Sequence, residues 1–168
     1  MKKLYFNYLF SLVFFIVALS CNTNDDANEL SENYLKANVN GLDFNSDNNL
    51  TSLIFTREIR PSGLVNLNVK AISEDGDVIE FLVENFKGVG KYYFGDNLYN
   101  NSWIKYKRSS TSEEWMVLPK GALNLNTNYI EITFNEKNRV EGKISCKELK
   151  SLLEDIFGAV EGEFRLSY

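Results

Sequence analysis

The sequence predicts an all-β fold: an antiparallel β-sandwich or open barrel of about nine or ten strands, with one short helix before the last strand. Three observations carry that expectation. Apolar residues recur at period two along much of the chain, the pattern of a strand with one buried face. Turn-forming residues separate those runs at intervals of about 8–12 residues. The chain has two prolines, Pro61 and Pro119, and both sit beside turn-like stretches rather than inside an alternating run.

Taken in order, Tyr34–Val39 and Leu42–Phe44 flank Asn40-Gly41, a hairpin turn in which Gly accepts positive φ without steric cost. Ser52–Ile59 follows. In Leu64–Ile72, Val65, Leu67, Val69 and Ala71 share one parity, with Asn66, Asn68 and Lys70 between them. Asp75-Gly76 divides that run from Val78–Val83 as a second hairpin turn. Lys91–Phe94, Trp103–Lys107 and Glu114–Leu118 read as shorter strands. Ile130, Ile132 and Phe134 alternate with Glu131 and Thr133.

Two final strands repeat one another. Val140-Glu141-Gly142-Lys143-Ile144-Ser145 is echoed by Val160-Glu161-Gly162-Glu163-Phe164-Arg165. Val140, Ile144 and Cys146 share a face in the first; Val160, Phe164, Leu166 and Tyr168 share one in the second. Between them, Lys147–Phe157 carries apolar residues at 149, 152, 153, 156 and 157. That is helical spacing, stopped by Gly158.

The first 33 residues are of another kind. Lys2-Lys3 precedes an apolar run from Leu9 to Leu19, then Ser20 and Cys21. A charged start, a short apolar run and a small residue make a secretory signal; a membrane-spanning helix needs about 20 apolar residues. Val17-Ala18-Leu19-Ser20-Cys21 resembles a lipobox, although Ala18 stands where that pattern prefers Leu and Leu19 where it prefers a small residue. The resemblance implies lipidation of the Cys21 thiol. Each buried CH₂ of an acyl chain contributes about 0.8 kcal/mol, so two or three chains anchor a protein stably. Residues 22–33 hold one apolar residue larger than Ala, Leu30, and read as a disordered acidic tether. Asp25-Asp26 resembles the acidic export signal of Bacteroidota-type surface lipoproteins, which implies the outer membrane, facing the cell surface rather than the periplasm. The expected organisation is therefore a signal peptide at 1–20, a lipidated Cys21 and tether at 21–33, and a single β domain at 34–168.

A broader resemblance covers that domain. Leu-Lys-Ala-Asn-Val-Asn-Gly-Leu-Asp-Phe at 35–44, Gly-Val-Gly-Lys-Tyr-Tyr-Phe-Gly at 88–95, Val-Glu-Gly-Lys-Ile-Ser at 140–145 and the closing Val-Glu-Gly-Glu-Phe-Arg-Leu-Ser-Tyr at 160–168 are similar to small Bacteroidota-type lipoproteins of unknown function. Phe44 stands where many of them carry Trp. The resemblance implies a β-rich lipoprotein and supplies no functional residues.

Chemistry is sparse. The chain has no histidine, which removes Ser-His-Asp and Cys-His nucleophiles and most zinc sites. Cys146 falls on the apolar parity of its strand and reads as core. Gly88-Val-Gly90-Lys91 lacks the earlier glycine and the following Ser or Thr of a phosphate loop. Glu74-Asp75-Gly76-Asp77 lacks the remaining oxygen ligands of a calcium loop and reads as a hairpin tip. Glu141, Glu161 and Glu163 lie on the polar parity of their strands, as solvated faces do, rather than as a hydrolytic carboxylate pair. No metal and no cofactor is expected, and no catalysis.

Charge excludes one class of partner. Net charge is −5 and becomes −7 when Lys2 and Lys3 leave with the signal, so nucleic acid is not an expected partner. The aromatic cluster is the one candidate ligand site: Tyr92, Tyr99, Trp103, Tyr106 and Trp115, with Asn97, Asn100 and Asn101 interleaved. Flat rings beside amides suit a glycan, Tyr and Trp also anchor protein interfaces, and alternating aromatics equally well fill a core. The expected function is a membrane-anchored, non-enzymatic binding or envelope component. An immunity or inhibitor lipoprotein holding a secreted protein, a carbohydrate-binding module, and a ligand-carrying barrel stand as alternatives.

Overall fold

The computed structural model describes residues 33–46, 52–94, 101–117 and 126–167. These form eleven strands and, among the described residues, no helix. In chain order they are β1 (Tyr34–Val39), β2 (Leu42–Ser46), β3 (Leu53–Ile59), β4 (Val65–Ile72), β5 (Val78–Val83), β6 (Gly90–Tyr93), β7 (Trp103–Lys107), β8 (Glu114–Val117), β9 (Asn128–Glu136), β10 (Arg139–Ser151) and β11 (Phe157–Ser167). Each alternating run in the sequence is a strand. Of the two expected architectures the barrel is the one seen: the strands make one antiparallel sheet, nearly closed.

The main path runs β2-β1-β11-β10-β8-β7-β5-β4-β3. β10 is the branch point. Its first part, Arg139–Cys146, pairs with β9, and its end, Lys150–Ser151, pairs with β8. β9 carries β6 on its other edge. The two ends of the path approach where Ser46 Oγ donates to the Ser52 carbonyl at 2.9 Å, which Ile72 N–H also reaches at 2.6 Å.

Antiparallel register sorts the connections into two ends. One end holds Asn33, the 60–63 turn, the 84–89 loop, the 137–138 turn and Ser167. The other holds the 40–41, 73–77 and 108–113 turns and the β10–β11 hairpin tip. Asn40 and Gly41 both have positive φ (54° and 83°), as the sequence requires of that two-residue hairpin. Asn40 then ties the turn to β11, its amide oxygen accepting Ala159 N–H at 2.7 Å.

The core lines the inside of the sheet. Leu67, Val69 and Ala71 of β4, Ile79, Phe81 and Val83 of β5, Ile104 and Tyr106 of β7, and Val160, Phe164 and Leu166 of β11 are all buried; Tyr168 lies outside the described residues. The repeated Val-Glu-Gly has a packing reason. Gly142 pairs directly with Phe164, and a Cβ at 142 would stand 2.5 Å from Phe164 Cζ and 2.6 Å from the Glu131 carbonyl. The missing side chain is the space the ring occupies. Phe164 in turn lies 5.3 Å from the Phe81 ring across the interior.

The helix expected over Lys147–Phe157 is absent, and the sequence there makes strand and hairpin instead. Leu149 and Ser151 are buried while Lys147 and Lys150 are exposed, which continues the strand alternation. A bulge shifts the register between Cys146 and Leu149. Asn128, fully buried, stabilises it: its side-chain oxygen accepts Lys147 N–H at 3.0 Å and Glu148 N–H at 3.1 Å, and its amide donates to Glu148 at 2.6 Å. An isolated helix of this length is marginal, whereas extended backbone gains pairs with both β8 and β11. The helical spacing was coincidental: Leu149 faces the core, and the apolar residues at 152, 153, 156 and 157 project from the tip.

Candidate functional site

Parity and register divide the aromatic cluster. Tyr106 and Trp115 face each other as a cross-strand pair of β7 and β8 and point inward. The Tyr106 hydroxyl donates to Asp77 Oδ2 at 2.5 Å, while Asp77 Oδ1 accepts Ser109 N–H at 2.8 Å. Burial, reinforced by that carboxylate, pushes the Tyr106 phenol up to about 12. These bonds also occupy Asp77, whose loop folds as the expected hairpin tip. Trp115 is buried with its indole Nε1 unpartnered.

Tyr92 serves its own loop. Its hydroxyl accepts Lys87 N–H and donates to the Gly88 carbonyl, both at 2.8 Å, and its ring stacks on Phe86 at 6.0 Å. Asn101 is structural as well. Its backbone N–H donates to Glu84 Oε2 at 2.7 Å and its side-chain amide to both Glu84 oxygens at 3.1 Å. Arg60 completes the surroundings of this buried carboxylate at 3.4 Å. Tyr99, Asn97, Asn100 and the lipidation candidate Cys21 lie outside the described residues. Tyr92, Trp103, Tyr106 and Trp115 therefore do not converge on one site.

Trp103 alone of the four faces outward, half-buried. The register sets Thr56, Asn68, Leu82 and Trp103 side by side across β3, β4, β5 and β7, and beside them Ile54, Lys70, Glu80 and Lys105. A shallow depression of about 200 Å³ lies on this face, bounded by Ile54, Thr56, Asn68, Lys70, Glu80 and Trp103. Glu80 sits between Lys70 at 3.1 Å and Lys105 at 3.0 Å. Partial burial works to raise its pKa, but hydrogen bonds and charge from Lys105 and Lys70 outweigh that and hold the carboxyl below its ordinary value. Toward the 73–77 turn the face opens into a second, more polar depression of about 460 Å³, which shares Lys70 and Glu80 with the first.

The signal for Trp103 was present in the sequence, in its opposite parity to Ile104 and Tyr106. Its companions Ile54, Thr56, Asn68 and Glu80 carried no local signal, since only the four-strand register assembles them. The surface offers an aromatic edge, a hydroxyl, an amide and a Lys70–Glu80–Lys105 triad that carries one net positive charge. Its chemistry is that of stacking and hydrogen bonding.

The other candidates resolve simply. Cys146 is fully buried, and desolvation raises its thiol to about 12. Glu141 lies between Arg139 at 3.3 Å and Arg165 at 2.9 Å, and Glu161 meets Lys147 at 3.5 Å. Among the described residues no group of three or more Cys, Asp or Glu side chains is placed to hold a metal ion. The chain matches no family model, no curated protein and no solved structure.

Proposed function

We propose that this protein is a lipid-anchored, extracytoplasmic binding module that acts without catalysis and holds its ligand on the outside of a filled barrel. The observation that carries this reading is the outward Trp103 beside Asn68, Thr56 and the Lys70–Glu80–Lys105 triad, over a wall whose inner side is occupied by Phe81, Tyr106 and Phe164. A packed interior favours an external ligand over one carried inside, as in larger or emptier barrels.

The anchor rests on Cys21 and its lead-in, on the acidic tether and on the resemblance to Bacteroidota-type surface lipoproteins. Mass spectrometry of the processed N-terminus tests it; an unacylated residue 21 overturns it. The absence of catalysis is tested with a broad panel of hydrolase substrates, where reproducible turnover abolished by one carboxylate substitution ends the reading.

A carbohydrate is the ligand class this surface favours, because a tryptophan edge with an adjacent amide and hydroxyl matches a sugar's apolar face and its rim of hydroxyls. A glycan array probed with wild type and Trp103→Ala decides the matter: saturable binding lost in the variant supports it, and no binding by wild type ends it.

A further inference from the structure

We propose that the β10–β11 hairpin tip is a docking surface for a protein partner whose contact site is an apolar groove rimmed by lysine or arginine. Leu152, Leu153, Ile156 and Phe157 are 52%, 73%, 46% and 56% exposed, four large apolar side chains within six consecutive residues. Among the described residues the other exposed large hydrophobics are Leu42, Ile54, Ile59, Leu64 and Val89; Ile59 and Leu64 flank one turn, and the rest stand singly on other strands and loops. Single exposed apolar residues are ordinary, but a contiguous group marks an interaction site.

The tip is also held in one shape. Leu152 N–H donates to the Glu114 carbonyl at 2.9 Å, and Ser151 N–H to that of Ile156 at 3.1 Å. The buried Ser151 hydroxyl accepts the N–H groups of Leu153 and Glu154, both at 3.2 Å. Lys150 and Asp155 pair at 3.0 Å across the loop. A loop already ordered loses little entropy when it docks.

Charge selects the occupant. Glu154 and Asp155 sit between the two apolar pairs, in the middle of the tip; with Lys150 paired to Asp155, Glu154 leaves the tip acidic by one charge. Insertion into a bilayer would lead with those carboxylates, which is costly. Tip-to-tip pairing of two copies would set acid against acid, on chains that already carry −5. A basic rim around an apolar groove satisfies both features. The tip lies at the opposite end of the barrel from Asn33, and the proposal depends neither on the anchor nor on the Trp103 face.

The test uses the processed full-length protein and a designed amphipathic peptide with leucine on one face and lysine on the other, followed by calorimetry. The expected result is saturable one-to-one binding that weakens with added salt. Leu153→Ser and Phe157→Ser should each weaken it about tenfold or more, with unchanged near-ultraviolet circular dichroism, while Trp103→Ala retains it. No binding by wild type, equal binding by Leu153→Ser, or equal binding of a peptide with glutamate in place of lysine overturns the proposal. So does vesicle binding or self-association of the protein that Leu153→Ser abolishes.

Discussion

Trp103 and Trp115 stand on adjacent antiparallel strands and have opposite fates. Trp115 lies across from Tyr106 inside the barrel, and Trp103 lies across from Leu82 on its outer wall. Both have the same side chain, and both come from a stretch of sequence dense in rings. What separates them is one step of strand parity relative to Tyr106, because successive side chains point to opposite faces. Aromatic density in a sequence is therefore no measure of a binding site in a small barrel. The inner wall consumes part of any such cluster, and only the residues of the other parity remain for a ligand.

The largest expected effect sharpens the inner half of this contrast. Trp115→Ala should destabilise the fold by about 3–5 kcal/mol, the usual cost of emptying a buried aromatic site. It would be read as a fall in the urea midpoint at constant slope. Gly142→Ala comes next. The new methyl meets both the Phe164 ring and the Glu131 carbonyl, and overpacking of this kind costs about 1–3 kcal/mol. Adding Phe164→Leu relieves the ring contact but not the carbonyl contact, so the double variant should remain below wild type.

Tyr106→Phe is expected to cost about 0.5–1.5 kcal/mol at neutral pH, the worth of one hydrogen bond. It has a pH signature as well. With the folded phenol raised from 10 to about 12, its contribution is complete below pH 10 and is lost as pH rises toward 12. Wild type should therefore lose stability between pH 10 and 12 more steeply than the variant. The smallest stability effect belongs to Trp103→Ala, within about 0.5 kcal/mol, although the same change should remove the ligand binding we propose for that face. Acrylamide quenching checks the contrast directly. The accessible component of tryptophan fluorescence should disappear with Trp103, and Trp115 should remain shielded. Equal quenching of both rings would break the comparison.

Much of the fold was legible in the residues because alternation is local. Val65 to Ala71, Ile130 with Ile132, and the two Val-Glu-Gly strands declare their inner faces without reference to neighbours. Phe134, expected on the same face as Ile130 and Ile132, is instead turned by a bulge to lie opposite Glu141, with Arg139 over its ring at 4.2 Å. Asn40-Gly41 and Asp75-Gly76 declare their turns by the backbone conformations they permit. The hairpin after Cys146 misled because its exposed apolar tip follows directly on core residues, and the combined spacing imitates a helix. Asn128, which fixes the bulge there, is about twenty residues away in sequence and left no local trace. The candidate site was legible only as Trp103. Thr56, Asn68 and Glu80 join it through hydrogen-bonded register across four strands, which no single run of sequence contains.

The pairing of β1 with β11 has a mechanical consequence. Asn33 is clamped to Ser167 at the start of β1, its side-chain oxygen taking the Ser167 N–H at 2.5 Å. The hairpin tip leaves the barrel where β11 begins at Phe157, about 33 Å away along the strand at about 3.3 Å per residue. Pulling on Asn33 while the tip is held draws these two antiparallel neighbours past one another along their length. The six register pairs from Tyr34–Arg165 to Val39–Val160 then share the load together instead of parting one after another. Tension applied between Asn33 and the tip thus loads the β1–β11 ladder in shear rather than by peeling.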